Sequence, residues 1–359
     1  MLALVMTAVM PPSHAQARLK ASAGVQTMPA VTRNAAPEVT LDAVGDVMPG
    51  WGVAALVNKP GPDAPFALMH PIFAAADAVI GNLECPLSYR GKPTKAKSKA
   101  ALKARKEFLL RGPPEAATGI ANAGFAAMSL ANNHMMDFGP VAMRDTLSAL
   151  RDAGIGTAGA GENSAEAWQP AYFERRGLRF ALLSFSDVIP IGYAASAKSP
   201  GIAAGRSTIT GEIDRPYLKT LTESIKLARS QADVVIVFEH WGDEFVGRPS
   251  KEHVLEAHAA IDAGALLVIG AHPHVLGPIE SYHGGLIAYT LGNFVFDTTP
   301  GLKTRSAVLQ IHLRGDAITS WEAVPVEIKG GVPSPVGGRL VAAPLRWHFS
   351  SRHAYGPPE

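Results

Sequence analysis

Cysteine is nearly missing from this chain: Cys85 is the only one in 359 residues, so no disulfide can form within it. A dominant charge is missing as well. With 33 Lys/Arg against 31 Asp/Glu the formal net charge is +2, which gives no strong argument for a nucleic-acid or membrane-surface partner. Outside the N-terminus no apolar stretch approaches the ~18 continuous residues that a membrane helix requires. There is no internal repeat. What remains is 47% hydrophobic and 18% charged, the balance of a globular chain. Its length suits one large α/β domain or two smaller ones with well-buried cores.

The N-terminus carries an export signature. Leu2 to Met10 is apolar, and Ala15-Gln16-Ala17 resembles a signal-peptidase site. The positive segment that normally precedes such a run is missing, so the start is expected inside a longer signal peptide. Residues 1–17 therefore read as a truncated signal peptide and residues 18–37 as a linker. Residues 38–328 read as the folded domain and 329–359, rich in Gly, Pro and Ser, as a C-terminal extension. The expected location is the periplasm or cell surface.

From residue 38 apolar runs alternate with helical patterns, which argues for layered α/β architecture. Strands are expected at Val39–Val44, Ala76–Ile80, Phe125–Leu130, Val234–Phe238 and Ala265–Ile269. Helices are expected at Val141–Ala153, Leu218–Ser230 and Lys251–Ala263. Arg176-Gly177 between two β-rich runs is a hairpin signal. Leu286–Phe296 and Ser306–Leu313 look like strands of a second sheet packed on the first.

Polar clusters end the strand runs. Asp46 and Glu84 follow the first two and Asn133-His134 the third. His240 ends the fourth, and His272 and His274 follow the fifth. Each alone has an ordinary reading: Asp46 as a turn former, Asn132-Asn133 as a turn or cap, His240 as a satisfied core imidazole. Asp137 could orient His134 or cap the helix that begins near Pro140. Together, two carboxylates, one amide and four histidines stand at strand C-termini, the edge where α/β sheets bind ligands. Such a set suits one or two divalent cations, Zn, Mn or Fe. Asn82, Trp241, Glu244 and Asn293 are candidates for substrate contact, although the first reading of Trp241 is packing over the strand ends. Cys85 reads as a buried thiol. The seven Lys/Arg of Lys92 to Lys106 read as a solvated face or as a patch attracting an anion.

Six motifs carry a resemblance. They are Gly45-Asp46-Val47-Met48, Gly81-Asn82-Leu83-Glu84, Ala131-Asn132-Asn133-His134 with Asp137 and Gly139, His240-Trp241-Gly242 with Glu244, Gly270 with His272-Pro273-His274, and Leu291-Gly292-Asn293-Phe294-Val295-Phe296-Asp297. In this order, over about residues 40 to 297, they resemble the CapA family of bacterial poly-γ-glutamate capsule synthesis proteins. The resemblance implies a four-layered α/β/β/α sandwich similar to calcineurin-like metallophosphoesterases. It also implies work on poly-γ-glutamate or a similar anionic surface polymer, alongside membrane synthetase subunits. Carried over, Asp46, Glu84 and His274 would hold one metal, and Glu84, Asn133, His240 and His272 the other, with His134 as proton donor. Met48 stands where the phosphoesterases have a histidine ligand, so one tight metal or two unequal ones are expected. Three functions follow: a metal-dependent hydrolase or transferase, a non-enzymatic accessory with a structural or vestigial metal, and a phosphodiesterase or nucleotidase.

Overall fold

The structure, a computed structural model, describes residues 36–205, 215–297 and 302–337. The expected signal peptide, most of the linker and residues 338–359 lie outside them. Among the described residues no helix is long and apolar enough to cross a membrane.

The first sheet begins with β1 (Glu38–Val47), β2 (Ala78–Leu83), β3 (Phe125–Ser129) and β4 (Gly156–Ala158), all parallel. Between them come the helices α1 (Trp51–Asn58), α2 (His70–Phe73), α3 (Lys99–Lys103), α4 (Ala116–Asn122) and α5 (Gly139–Asp152). A small ribbon of β5 (Ala160–Gly161) and β8 (Gly201–Ile202) flanks the sheets, with α6 (Ser164–Ala167) beside it. The second sheet is built on β6 (Ala171–Arg175), β7 (Leu178–Ser186), β9 (Val234–His240), β10 (Leu267–Ala271), β11 (Ile279–Tyr282) and β12 (Gly285–Ala288). Helices α7 (Arg215–Arg229) and α8 (Lys251–Asp262) make its crossovers. In it β7, β9, β10 and β12 run parallel.

The two sheets face each other. Leu41, Ala43, Ile80 and Ile311 of the first meet Phe180, Ile236, Phe238 and Ile269 of the second in one apolar layer. The alternate residues face the helices: Val44, Val79 and Met128 pack with α1, α4 and α5, while Val235, Val237 and Val268 pack with α7 and α8. Strands covered on both faces read as near-continuous apolar runs, which is why their sequence signal was clear. The result is an α/β/β/α sandwich. Arg176 (φ 48°) and Gly177 (φ 81°) make the expected β6–β7 hairpin, both left-handed as a tight two-residue turn requires.

The C-terminal strands depart from the expectation of one separate sheet. The run Leu286–Phe296 is two strands in different sheets. β12 pairs with β10, the chain crosses over, and β13 (Asn293–Val295) pairs with the end of β1. β14 (Arg305–Arg314), β15 (Ala317–Lys329) and β16 (Val332–Pro335) then extend the first sheet, so strand pairing continues past residue 328. The crossing depends on a close approach. The Asp46 N–H donates to Gly292 O at 2.9 Å, and a Cβ on Gly45 would lie 1.8 Å from that oxygen. Periodicity is blind to such a contact, because both segments are apolar and extended.

Candidate metal centre

Parallel order in both sheets carries the C-terminal strand ends to one edge. From the first sheet come Asp46 of β1, Glu84 after β2, and Asn133 and His134 after β3. From the second come His240, the last residue of β9, and His272 and His274 after β10. Two left-handed residues in the last segment, His272 (φ 94°) and His274 (φ 57°), turn the chain back on itself. For non-glycine residues this conformation is strained, and it persists where the surroundings enforce it. Here the His272 N–H donates to Asp46 Oδ2 at 3.3 Å, tying the two sheets together.

Glu84 is the centre of the arrangement. It is fully buried, neither carboxylate oxygen accepts from an N–H or O–H donor among the described residues, and the Asp46 carboxyl lies within hydrogen-bonding reach of it once either acid is protonated. Its Oε1 lies 3.8 Å from His240 Nε2, 3.9 Å from His274 Nε2 and 4.0 Å from His134 Nε2. The distances exceed a hydrogen bond and match groups arranged about a common ligand. Asp46 is equally buried; its Oδ1 accepts from Asn82 Nδ2 at 2.8 Å, and its Oδ2 is 3.6 Å from His274 Nδ1. Glu84, His240 and His272 bring ligand atoms within 4.8 Å of one another, and so do Asp46, Glu84 and His274. Glu84 belongs to both groups. The buried His272 Nδ1 also lacks a partner among the described residues.

Orphaned buried polar atoms are expensive unless something compensates them. Burial pushes the Glu84 carboxyl well up, and the neighbouring Asp46 charge adds to this. Burial also raises Asp46 to about 7, against the hydrogen bonds from Asn82 and His272. The histidines move the other way: burial, then repulsion from neighbouring imidazoles, holds His240 well below its ordinary value and His272 at about 3. Burial takes His274 to about 4. Neutral imidazoles around two carboxyls that resist ionising are a donor set for divalent cations, whose charge reverses the carboxyl penalty. The residues present fit such an ion.

The supports are equally defined. His274 Nδ1 donates to Asn293 Oδ1 at 2.8 Å, which leaves its Nε2 lone pair toward Glu84. Asn82 Oδ1 accepts from Ser129 and Asn132 while its amide faces Asp46 and, at 3.4 Å, His240 Nδ1. Asn133 Oδ1 stands 2.9 Å from His240 Nε2. Met48 is buried, its sulfur accepting from the Gly50 N–H.

His134 faces the centre with Nε2 and meets Asp137 Oδ2 at 2.8 Å with Nδ1. Asp137 collects three more donors: Lys97 Nζ at 2.6 Å, Tyr193 Oη at 2.6 Å and the Leu110 N–H at 2.7 Å. Burial would raise its carboxyl, but His134 and Lys97 outweigh it and hold it low. Asp137 thus orients His134; α5 has Phe138 at its N-cap and no side-chain cap there. Burial, then the Lys97 charge, lowers His134, and Asp137 opposes the shift. Lys97 and Tyr193 are the residues sequence reasoning missed. Lys97 belongs to the basic run expected as a solvated or anion-attracting face, but it is buried in this network. Tyr193 lies in a loop whose sequence carries no signal.

A cleft of about 710 Å³ opens above the centre, with Asn133, His134 and His272 in its wall and Glu107, Asp243 and Glu244 among its other lining residues. Of the expected substrate contacts only Glu244 lines it. Asn82 and Asn293 are buried supports of His240, Asp46 and His274. Trp241 is buried too; its Nε1 donates to Tyr289 O at 2.9 Å, so it packs behind the strand ends. Cys85 is buried and its thiol is pushed up by burial, then by Glu84.

This sandwich, with carboxylates and imidazoles meeting at the strand ends, defines a protein of the metallophosphoesterase-like class. Residues 40–298 match the family described as "Bacterial capsule synthesis protein PGA_cap", and the chain belongs to that family. It is 35% identical to a capsule biosynthesis protein CapA of Bacillus anthracis over 84% of this chain and 71% of the relative. It is 34% identical to the PGA biosynthesis protein CapA of Bacillus subtilis over 88% and 78%. A probable polyglutamine synthesis accessory protein of Mycobacterium tuberculosis is 29% identical over 72% and 74%.

Proposed function

We propose that this protein is a metal-dependent hydrolase or transferase acting on poly-γ-glutamate, or a similar anionic polymer, or on its anchor. Its family and CapA relatives support a role in capsule or poly-γ-glutamate biosynthesis. The observation that carries the enzymatic reading is Glu84, fully buried, without an N–H or O–H donor among the described residues and shared by two groups of ligand-bearing residues. Asp46, Glu84 and His274 would hold one divalent cation, and Glu84, Asn133, His240 and His272 a second. Bound there, Zn, Mn or Fe would supply an acidified water and polarise an acyl or phosphoryl oxygen. The remaining chemistry belongs to the chain. His134 Nε2, facing the centre, exchanges the proton with the leaving group, and the Asp137 carboxylate at Nδ1 stabilises the imidazolium. Lys97 and Tyr193 hold Asp137 in place. The cleft above the centre, lined in part by Asn133, His134 and His272, is where the polymer segment lies.

The test is metal content of the purified protein by mass spectrometry, followed by cleavage assays on γ-glutamyl peptides and on phosphodiesters. Stoichiometric metal with γ-glutamyl cleavage supports the reading. Cleavage of phosphodiesters alone makes the protein a phosphodiesterase. Metal without either activity favours a non-enzymatic accessory, a reading supported by Met48, a buried thioether at the position where the resemblance to phosphoesterases implies a histidine ligand. Export to the periplasm or cell surface, beside membrane synthetase subunits, fits a polymer assembled there, and cell fractionation checks it.

A further inference from the structure

The same cleft holds a second set of reactive side chains that the metal chemistry does not use. Ser250 is the N-cap of α8, His253 is the third residue of that helix, and Asp187 follows β7; all three line the cleft. Ser250 Oγ lies 3.1 Å from His253 Nδ1, and His253 Nε2 lies 3.0 Å from Asp187 Oδ2. The proton positions follow from the partners. Nδ1 also accepts the Ser250 backbone N–H at 3.4 Å, so it carries the lone pair. Nε2 then carries the hydrogen and donates it to the carboxylate. Ser250 Oγ accepts the His253 N–H at 3.3 Å, which leaves its hydroxyl hydrogen for Nδ1. The imidazole is buried against Trp241, ring centroids 5.0 Å apart, while Ser250 itself is exposed.

We propose that Ser250, His253 and Asp187 form a serine nucleophile for acyl transfer, separate from the metal centre but opening into the same cleft. The ordinary role of Ser and His at these positions is a capping box, and that box is present. A capping box needs only an acceptor at the third helical position, which Gln or Glu supplies. It does not need the far nitrogen anchored to a carboxylate just past a strand of the neighbouring sheet. That anchoring fixes the tautomer in which the near nitrogen is a base aimed at a hydroxyl, the arrangement that activates serine. The imidazole is used in the reverse sense to the more familiar one, with Nδ1 toward the serine.

The substrate class is a carboxylic amide or ester. Ser250 Oγ bonds to the carbonyl carbon as its proton passes to His253 Nδ1. The C–N or C–O bond then breaks, and the leaving amine or alcohol takes that proton. Water, or a second amine, attacks the resulting seryl ester, returning the proton to Ser250 and releasing an acid or a new amide. Asp187, hydrogen-bonded at Nε2, stabilises the imidazolium, and the N-terminal end of α8 favours the developing negative charge.

The experiment treats the full chain with a fluorophosphonate, in buffer containing a chelator, and reads the adduct by intact mass and peptide mapping. A single adduct on Ser250, lost in Ser250→Ala, is expected. His253→Gln is the decisive variant, since Ser-x-x-Gln preserves the capping box while removing the base; labelling should slow about 10²-fold or more while far-UV circular dichroism shows the fold retained. Asp187→Asn should also slow it. Absence of a Ser250 adduct overturns the proposal, as does labelling in His253→Gln at the wild-type rate. Because the chelator is present, either result is independent of whether the metal reading stands.

Discussion

Replacing Glu84 with Gln should reverse the order of stability between metal-free and metal-loaded protein. In the structure both Glu84 oxygens are buried without an N–H or O–H donor among the described residues, and the carboxyl sits well above its ordinary value because of burial and then Asp46. A carboxyl whose folded value is raised adds stability that is fully present below the unfolded value and is lost as pH rises through the folded one. At pH 8 metal-free protein therefore carries that loss, and Gln, always neutral, does not. Gln buries an unpartnered neutral amide in its place, so the gain is the difference between burying an ionised carboxylate and burying a neutral polar group. Metal-free Glu84→Gln should therefore melt higher than wild type at pH 8, by about 2–4 °C for each kcal/mol of that difference or somewhat less for a chain of this size. At pH 8 the three histidines, all held below 6.5, stay neutral and do not contribute. With cation the order inverts. Wild type should gain about 2.7 kcal/mol at a hundredfold excess over Kd, whereas the variant loses the carboxylate common to both groups and should gain little. The assay is thermal melting at pH 8 with chelator and with Zn, Mn or Fe. A variant less stable than wild type in chelator, yet equally stabilised by metal, would refute the reasoning.

Three further outcomes are expected. His134→Gln should keep its metal content but lower turnover about 10²-fold or more, because it removes the proton-exchanging group and no proposed ligand; equal turnover on γ-glutamyl and phosphodiester probes would place His134 outside the chemistry. Metal affinity should fall about tenfold per pH unit below 7 as protons compete for Asp46, whose value is about 7, with proton release on binding visible by calorimetry in buffers of different ionisation enthalpy. Asp42 is buried in β1 with Oδ2 unpartnered among the described residues, and burial raises it to about 7 against a hydrogen bond from Gln310. Its contribution is present near pH 4 and lost as pH rises through 7, with a ceiling of about 4 kcal/mol at about 1.36 kcal/mol per unit. Asp42→Asn should flatten that loss in urea melts from pH 5 to 9, and an unchanged slope would count against it.

The sequence by itself determined the strands and helices whose periodicity is strong, and which residues stand where those strands end. Runs such as Val234–Phe238 and Ala265–Ile269 are apolar on both faces, and Gly, Asn and His end them, so Asp46, Glu84, Asn133, His134, His240, His272 and His274 were all legible as strand-end residues. Those signals are local. Tertiary structure alone decided what each does. Asn82 and Asn293 looked like substrate contacts but are buried supports, and Trp241 packs over the strand ends, since their partners are distant in sequence: Asn82 amide on Asp46, Trp241 on Tyr289, Asn293 on His274. Lys97 is indistinguishable within its basic run until Asp137, 40 residues on, is folded against it. The break of Leu286–Phe296 between two sheets depends on Gly45 lying against Gly292, a contact no period can encode. Most of all, the absence of a donor to Glu84 among the described residues is a property of its whole surroundings. Hydrogen bonding and desolvation are settled by what the folded chain brings within a few ångströms, and the residues that do so here come from five different strand ends.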